Sequence, residues 1–203
     1  MKLKSLALAL MAVAGLAVSG SAAFAQPGNG EGCTSIVLPN GTLLTCQVVG
    51  GTKVYVDAAG NSYPATTGGS GAFTITNSTT NPCQAFLNVA SININSNAGP
   101  FGNVITTLDA SRPSPQSSII SQVIGAEFPA TEDFFFYANA TVSSLPGQYR
   151  SIQPFHFSSR NVRSFNPHRN EQFGQVDKVD FEDVNRPGTI VFSVQGTSIT
   201  LNN

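Results

Sequence analysis

Alternation of apolar and polar residues with a period of two is the feature that most constrains the fold of this chain. It runs through "AFTITN" and "QAFLNVASININ". In "DFFFYANATVSS" it places five apolar side chains on one face: Phe134, Phe136, Ala138, Ala140 and Val142. Such segments predict strands with one buried face, because successive side chains of a strand point to opposite sides. Glu132 and Asp133, next to this segment, are interpreted as gatekeepers against aggregation.

Turn signals between these segments predict antiparallel connections. Asn40-Gly41 suits a tight hairpin turn inside "CTSIVLPNGTLLTCQVV", and residues 58–61 suit a second one. Gln195-Gly196 suits a third turn that would fold "GTIVFSVQGTSITLN" on itself and pair Val194 with Thr197. Only 10% of the residues are charged, and the polar faces consist of Ser, Thr and Asn. The sequence therefore predicts an all-β fold, an antiparallel β-sandwich or a Greek-key-like arrangement.

One segment departs from the strand pattern. Ser114 suits the N-cap of a helix and Pro115 its first position. Apolar residues then recur at helical spacing: Ile119, Ile120, Val123 and Ile124. The segment predicts at most one short helix, over residues 115–126.

The first 25 residues have the features of a secretory signal peptide. Lys2 and Lys4 precede an apolar stretch, and Ala23-Phe24-Ala25 fits cleavage after Ala25. The stretch is too short to cross a bilayer core of about 30 Å. We therefore expect a chain that is secreted or placed at the cell surface or in the periplasm, without a transmembrane segment.

A Gly- and Ser-rich stretch at residues 66–71 suggests an internal boundary. It predicts a linker between an N-terminal hairpin region, residues 26–65, and a main β domain, residues 72–203. Ser70 lies among these glycines, but no helical pattern follows it, as a nucleophile elbow would require. We therefore assign Ser70 no catalytic role.

Cys33, Cys46 and Cys83 predict one disulfide and one remaining thiol in an exported chain. Pairing across Asn40-Gly41 would place Cys33 and Cys46 diagonally on one face, which is possible but not ideal for a disulfide. Cys83 is the rival partner for either residue, and the sequence leaves the pairing open.

Charged residues crowd into residues 150–186, where arginines precede a run of carboxylates. A basic limb followed by an acidic limb can fold back so that arginines lie opposite carboxylates. Exposed pairs of this kind contribute about 0–1 kcal/mol each. We interpret the segment mainly as a solvated edge of the sheet, with Phe181 and Val179 tying the acidic strand to the core.

Two kinds of metal site compete with that interpretation. Calcium prefers oxygen ligands, and four carboxylates lie close together in sequence without the spacing of an EF-hand: Asp177, Asp180, Glu182 and Asp183. A transition-metal site would use His156, His168 and Glu171, although two histidines twelve residues apart without a further strong ligand are weak support. No cofactor is required by either interpretation.

A glycan-binding surface is the third alternative, because such surfaces combine exposed aromatics with Arg, Asn and carboxylates. The candidate ligand-binding residues are Tyr149, Arg150, His156, His168 and Arg169. Phe155 would add an exposed ring, but its alternation with Phe157 also fits the buried face of a strand.

The remaining features of the sequence exclude functions rather than indicate one. Residues 26–203 carry eight basic and eleven acidic side chains, so the chain lacks the positive charge typical of nucleic-acid binding. We expect an exported, non-catalytic β-rich protein that acts by binding or structural association in the cell envelope or extracellular space. Glycans or envelope proteins would be its partners. The alternative is a secreted polysaccharide hydrolase that uses carboxylates within residues 171–183.

Overall fold

The structure is a computed structural model that describes Cys33, residues 36–123 and residues 126–202. These residues form one twelve-stranded antiparallel sheet and one 3₁₀ turn at Gly99–Phe101. The prediction of an all-β antiparallel fold is confirmed. The strands are β1 (Leu43–Asp57), β2 (Ser62–Asn77), β3 (Gln84–Asn97), β4 (Asn103–Leu108), β5 (Ser117–Ser121), β6 (Ala130–Phe136), β7 (Ala138–Val142), β8 (Leu145–Ser151), β9 (Phe155–Val162), β10 (Arg169–Gln175), β11 (Val179–Asp183) and β12 (Arg186–Asn202).

Long and short strands share the sheet in a regular way. β1, β2, β3 and β12 have 14 to 17 residues each. Two consecutive short strands lie end to end beside one long strand. β4 and β5 both pair with β3, and β10 and β11 both pair with β12. β6 and β7 are separated only by Tyr137. Each pair of short strands therefore occupies one position, which gives eight positions in all.

The sheet closes into a cylinder, because β1 pairs with β2 on one side and with β12 on the other. Its eight positions follow the order of the chain, so the connections form a meander rather than a Greek key. A closed sheet has no free edge strand. The acidic strand β11 of the charged segment is therefore not a sheet edge, since it is paired with both β8 and β12.

The core inside the cylinder is built largely from phenylalanine rings. Phe134 and Phe136 of β6 stack on Phe157 and Phe155 of β9, each pair with ring centroids 5.1 Å apart. The buried face predicted for residues 134–142 is confirmed, because all five of its apolar side chains are buried. Burying one Phe side chain contributes roughly 1.5–3 kcal/mol, so these rings are a main source of stability.

The helix predicted over residues 115–126 is wrong, because Ser117–Ser121 forms β5 between β3 and β6. Ile119 is fully buried while its neighbour Ile120 is partly exposed. That alternation belongs to a strand whose backbone groups are paired on both sides. Residues 124 and 125, at the end of the predicted helix, lie outside the described residues.

Of the three predicted hairpins, only the one at residues 58–61 is confirmed, with Val56 opposite Ser62. Gly41 does adopt the left-handed conformation of a turn, at φ 84°. However, β1 after this turn pairs with β2, so Leu43 lies opposite Thr74 and not opposite the segment that precedes the turn. Backbone partners from a distant strand have replaced the local ones.

The third predicted hairpin is also wrong, because β12 continues through Gln195 and Gly196 as one strand. Gly196 has φ 59°, and the register against β1 shifts at this point, which is a β-bulge. The side chain of Gln175 supports the bulge by donating to the carbonyl of Val194 and accepting from the hydroxyl of Thr197.

Residues 66–71 are strand residues and not a linker, because they lie inside β2 between β1 and β3. Gly69 has φ 149°, and a Cβ atom there would lie 2.1 Å from the carbonyl oxygen of Asn93. The glycine is therefore needed for the close approach of β2 and β3.

The disulfide joins Cys33 to Cys83, and Cys46 is a buried free thiol. The alternative Cys33–Cys46 pairing is therefore not formed. A disulfide is consistent with an oxidising, extracellular type of compartment. The signal peptide and its cleavage after Ala25 lie outside the described residues and stay predictions. No helix among the described residues has the length and hydrophobicity to cross a membrane.

Two adjacent glycines of β1 provide a matched test of the packing between β1, β2 and β12. A Cβ atom on Gly51 would lie 2.5 Å from the Ser198 carbonyl oxygen and 2.7 Å from Thr67 Cγ2, whereas one on Gly50 would meet nothing within 4 Å. We expect Gly51→Ala to lower the free energy of unfolding by about 1–3 kcal/mol. Gly50→Ala should change it by no more than about 0.5 kcal/mol. Urea denaturation measures both, and equal losses would contradict the packing described.

Candidate functional site

A groove opens on the surface where β9 and β10 separate. The two strands pair only at Ser158 with Gly174 and at Phe157 with Gln175. Beyond these residues each strand keeps a partner on one side only: β9 pairs with β6, and β10 pairs with β12. The groove has a volume of about 910 Å³ and is lined by Phe128 and by residues 158–172, except for the buried Val162 and His168.

Three arginines line this groove and give it a positive charge: Arg160, Arg163 and Arg169. All three are exposed, and none forms an ion pair within the described part of the chain. The other basic side chains beyond the predicted signal peptide differ from these three. Lys53 is buried, and the rest form ion pairs with acidic side chains. Those ion pairs are Arg112 with Asp109, Arg150 with Glu182, Lys178 with Asp180 and Arg186 with Asp183. We call this feature the arginine groove.

The wall of the arginine groove is fixed by the buried carboxyl group of Glu171. One of its oxygens accepts hydrogen bonds from the backbone N–H groups of Arg163, at 3.0 Å, and Ser164, at 2.8 Å. The Ser164 hydroxyl donates to the same oxygen and accepts from the backbone N–H of Arg169. Two of the three arginines are therefore held through their backbone by one hydrogen-bonded turn.

An imidazole–carboxylate pair lies inside the cylinder behind this turn. His168 Nε2 is 3.1 Å from Glu132 Oε2, and the two side chains are 1% and 0% exposed. The His168 ring meets the rings of Phe165 and Phe173 edge to face, with centroids 5.1 and 6.1 Å away. Phe165 also lines the arginine groove, so one ring separates the pair from the groove.

The free thiol of Cys46 shares this interior. Burial raises its pKa to about 12, and the nearby charge of Glu132 adds to the rise, while a hydrogen bond to the Gly71 carbonyl opposes it. A thiol with so high a pKa stays protonated at neutral pH and is a poor nucleophile. Cys46 is therefore a packing residue of the core.

The five predicted ligand-binding residues do not form one site. Arg169 lines the arginine groove, and His168 lies behind it. Tyr149 is buried and donates from its hydroxyl to the Pro146 carbonyl at 3.1 Å. Arg150 pairs with Glu182, and His156 pairs with Asp133 at 2.9 Å on the outer surface.

The aromatic rings proposed for a glycan surface are packed in the core. Tyr149 is 4% exposed and Phe155 is 3% exposed. Phe155 contacts the rings of Phe136 and Phe181. The alternative interpretation, in which Phe155 and Phe157 alternate as a buried face, is the one the structure shows.

Three of the four carboxylates predicted to bind calcium have partners of their own. Asp180 pairs with Lys178 and Asp183 with Arg186. The N–H of Gly188 and the guanidinium of Arg150 hold the pKa of Glu182 below its ordinary value. The arginine–carboxylate opposition predicted for this segment is present between Arg150 and Glu182.

No group of three or more His, Cys, Asp or Glu side chains in the described ranges is arranged to hold a metal ion. Calcium binding by the four carboxylates, Asp177 included, stays a prediction. The three residues considered for a transition metal are dispersed, since His156 is on the outer surface, His168 is in the core and Glu171 is bonded to the turn.

The sequence interpretation missed three of the residues that define the site. Arg160 and Arg163 were counted only as part of a basic limb, and Glu132 was interpreted as a gatekeeper. A signal for Glu132 was present, because it stands two residues before Phe134 and so shares the buried face of that strand. The groove gives no such local signal, since it depends on which strands β9 and β10 pair with.

Comparisons with known proteins inform the fold. No family model matches the chain, and no curated protein matches its sequence. A solved structure is similar, that of DynF from the dynemicin biosynthesis pathway of Micromonospora chersina. The two share 14% sequence identity with a TM-score of 0.66, over 84% of this chain and 85% of DynF. At this identity the likeness shows a shared fold.

The comparison corrects the functional interpretation drawn from the sequence. The matching structure belongs to a protein of a biosynthesis pathway. The prediction of a non-catalytic protein acting by binding or structural association in the envelope or extracellular space is therefore wrong, while its export stays a prediction. The alternative prediction of a secreted polysaccharide hydrolase is withdrawn with it, and the glycan and envelope partners have no support.

Proposed function

We propose that this protein acts on small molecules in a biosynthetic pathway and holds a small organic anion in the arginine groove. The observation that carries the proposal is the grouping of three arginines without ion pairs along one groove: Arg160, Arg163 and Arg169. The fold shared with DynF, a protein of a biosynthesis pathway, supports the choice of a small-molecule role.

The chemistry of the groove favours an anion. A guanidinium group offers several N–H donors in a planar fork that matches a carboxylate or a phosphate. Like charges repel one another, and an anion bound between the three arginines would relieve that repulsion. The proposed ligand therefore carries carboxylate, phosphate or sulfate groups.

The size of the groove favours a small molecule. Its volume of about 910 Å³ lies within the range of small-molecule sites, roughly 300–1,000 Å³. The partly exposed Phe128 contributes apolar surface beside the arginines, and the buried Phe165 ring lies beneath it. An organic anion with an apolar body would contact both kinds of side chain, whereas an inorganic anion would use the arginines alone.

Binding is tested by thermal melting with citrate, pyrophosphate and benzoate, each compared with sodium chloride at equal ionic strength. A ligand of the native state raises the melting temperature as its concentration increases. We expect Arg160→Ala, Arg163→Ala and Arg169→Ala each to weaken the apparent affinity about tenfold or more, because a hydrogen bond to a charged group contributes about 1.5–3 kcal/mol.

Arg186→Ala is the matched control. The Arg186 side chain is 70% exposed and pairs with Asp183, and it does not line the groove. We expect this variant to bind the anion as the unmodified protein does. The proposal fails if none of the three anions raises the melting temperature more than sodium chloride does. It also fails if Arg186→Ala weakens binding as much as the groove variants do.

A further inference from the structure

Lys53 lies inside the cylinder, although lysine is normally a surface residue. It belongs to β1 and stands opposite Ala65 of β2, with both residues buried. Only 4% of Lys53 is exposed. Its ammonium nitrogen Nζ is 5.5 Å from the centre of the Tyr55 ring, which lies two residues further along the same face. The side chain therefore points into the core.

No carboxylate in the described part of the chain pairs with Lys53 there. Lys53 forms no ion pair within the described ranges, whereas Lys178 has Asp180 at 2.8 Å. A buried ammonium group without a partner is costly, so such a group tends to lose its proton instead. Burial lowers the pKa of Lys53 to about 7. A large fraction of the side chain is therefore a neutral amine at neutral pH.

Hydroxyl groups form the polar part of the same core. Thr67, Ser96 and Thr106 are each buried, and the Ser96 hydroxyl donates to that of Thr67 at 3.2 Å. Thr67 shares the inner face of β2 with Ala65, the residue opposite Lys53. Burial raises the pKa of Tyr55 to about 12, and the Ser96 and Thr106 hydroxyls beside it oppose that rise. The ring beside Lys53 therefore carries a neutral hydroxyl group, and the hydroxyls around Tyr55 are neutral as well.

We propose that Lys53 is a nucleophilic amine that forms an imine with a small aldehyde or ketone admitted to the core. The nitrogen lone pair attacks the carbonyl carbon, and the carbonyl oxygen takes up a proton to give a carbinolamine. Loss of water then forms the C=N bond, so that the amine and the carbonyl compound yield an imine and one water molecule. A lysine desolvated in an apolar pocket is an established kind of activated nucleophile.

This site is separate from the arginine groove. Lys53 does not line the groove, and the imine requires none of the three arginines. The two proposals can therefore fail independently of each other.

The proposal is tested by trapping the imine on the folded, full-length chain. The chain has four lysines: Lys2, Lys4, Lys53 and Lys178. We would treat it at pH 7 with limiting ¹³C-formaldehyde and cyanoborohydride, and locate the modified lysines by peptide mapping. We expect Lys53 to be modified more than about tenfold faster than Lys178, although Lys178 is the exposed one, because an ordinary lysine is almost entirely protonated at this pH.

The pH profile and a control with the unfolded chain show whether the reactivity of Lys53 depends on its position in the folded protein. The rate at Lys53 should rise with a midpoint near pH 7 in the folded protein, and its advantage over Lys178 should vanish in urea. Acetaldehyde in place of formaldehyde should give the same order of reactivity. The proposal is overturned if Lys178 reacts while Lys53 stays unmodified in the folded chain, or if both lysines react at equal rates.

Discussion

Replacing Lys53 by methionine is expected to make the folded protein more stable at neutral and acidic pH. Methionine fills a similar volume without an amine, so the variant avoids the cost of keeping that group out of water. Burial lowers the pKa of Lys53 from 10.5 to about 7. One pKa unit corresponds to about 1.4 kcal/mol, so the cost of holding the charged form in the core is on the order of 5 kcal/mol.

The pH dependence of this gain follows from the protons bound by each state. Between pH 7 and pH 10.5 the unfolded chain keeps a proton on Lys53 that the folded chain has lost. The free energy of unfolding of the unmodified protein therefore rises with pH through this window because of Lys53. Below pH 7 the full cost is present. The part of the advantage of Lys53→Met that arises from the charge should accordingly be largest below pH 7 and vanish above pH 10.5.

Urea denaturation of both proteins at several pH values between 6 and 10 measures the effect. Lys178→Met is the matched control, because its Nζ pairs with Asp180 on the surface and its side chain is 51% exposed. We expect the control to change the free energy of unfolding by less than about 1 kcal/mol. If Lys53→Met were less stable than the unmodified protein at pH 6, the described burial of the ammonium group would be incorrect.

The sequence predicts the fold correctly where the local pattern and the pairing with distant strands favour the same secondary structure. Residues 134–142 alternate strictly, and their apolar face is the face that packs in the core. Residues 115–126 show the opposite case. Four apolar residues fit a helix by their spacing, but paired strands on both sides of Ser117–Ser121 hold the backbone extended. Tertiary pairing overrides a short helical pattern.

A β-bulge explains why the last strand was misinterpreted. A two-residue hairpin turn places residues i and i+3 on the same face of the sheet. A β-bulge with one extra residue does the same within a single strand. Val194 and Thr197 are therefore both buried, as the hairpin predicted, although β12 never turns. The sequence pattern predicts which face of β12 is buried, but it does not predict which strand pairs with β12. That partner is β1, which lies far away in sequence.

The candidate sites depend on similar long-range features. A bulge at Gly50 and Gly51 changes the facing of β1, so that Lys53 points inward and Val54 lies opposite Gln195 on the other face. The alternation of residues 53–57 by itself would place the valines inside and the lysine outside. His168 stood out in the sequence as a histidine in a charged segment. Its buried position could not be derived, because it depends on the closure of the sheet around Glu132.

The His168–Glu132 pair is the second place where a large effect is expected. His168→Leu would leave the fully buried Glu132 carboxyl group without its imidazole partner, and the other oxygen, Oε1, has no hydrogen-bond partner among the described residues. Removing one member of a buried ionisable pair typically costs about 3–5 kcal/mol. We expect a loss of that size in the free energy of unfolding, measured by urea denaturation at pH 7.

The chain supplies its own control in the pair formed by His156 and Asp133. This pair has a similar distance, 2.9 Å, but its side chains are 23% and 33% exposed. Water can solvate Asp133 when the imidazole is removed, so His156→Leu should cost no more than about 1 kcal/mol. The difference between the two leucine variants thus isolates the effect of burial from that of the contact.

A double variant separates a lost partner from lost packing. If the cost of His168→Leu arises from the buried carboxyl group, then replacing that group by methionine in His168→Leu/Glu132→Met should restore most of the stability, since apolar replacements of buried pairs are often neutral or stabilising. If the cost arises instead from the contacts of the His168 ring with Phe165 and Phe173, the second substitution will restore nothing. That additive outcome would show that Glu132 is solvated or otherwise satisfied in the folded protein, contrary to its complete burial in the core.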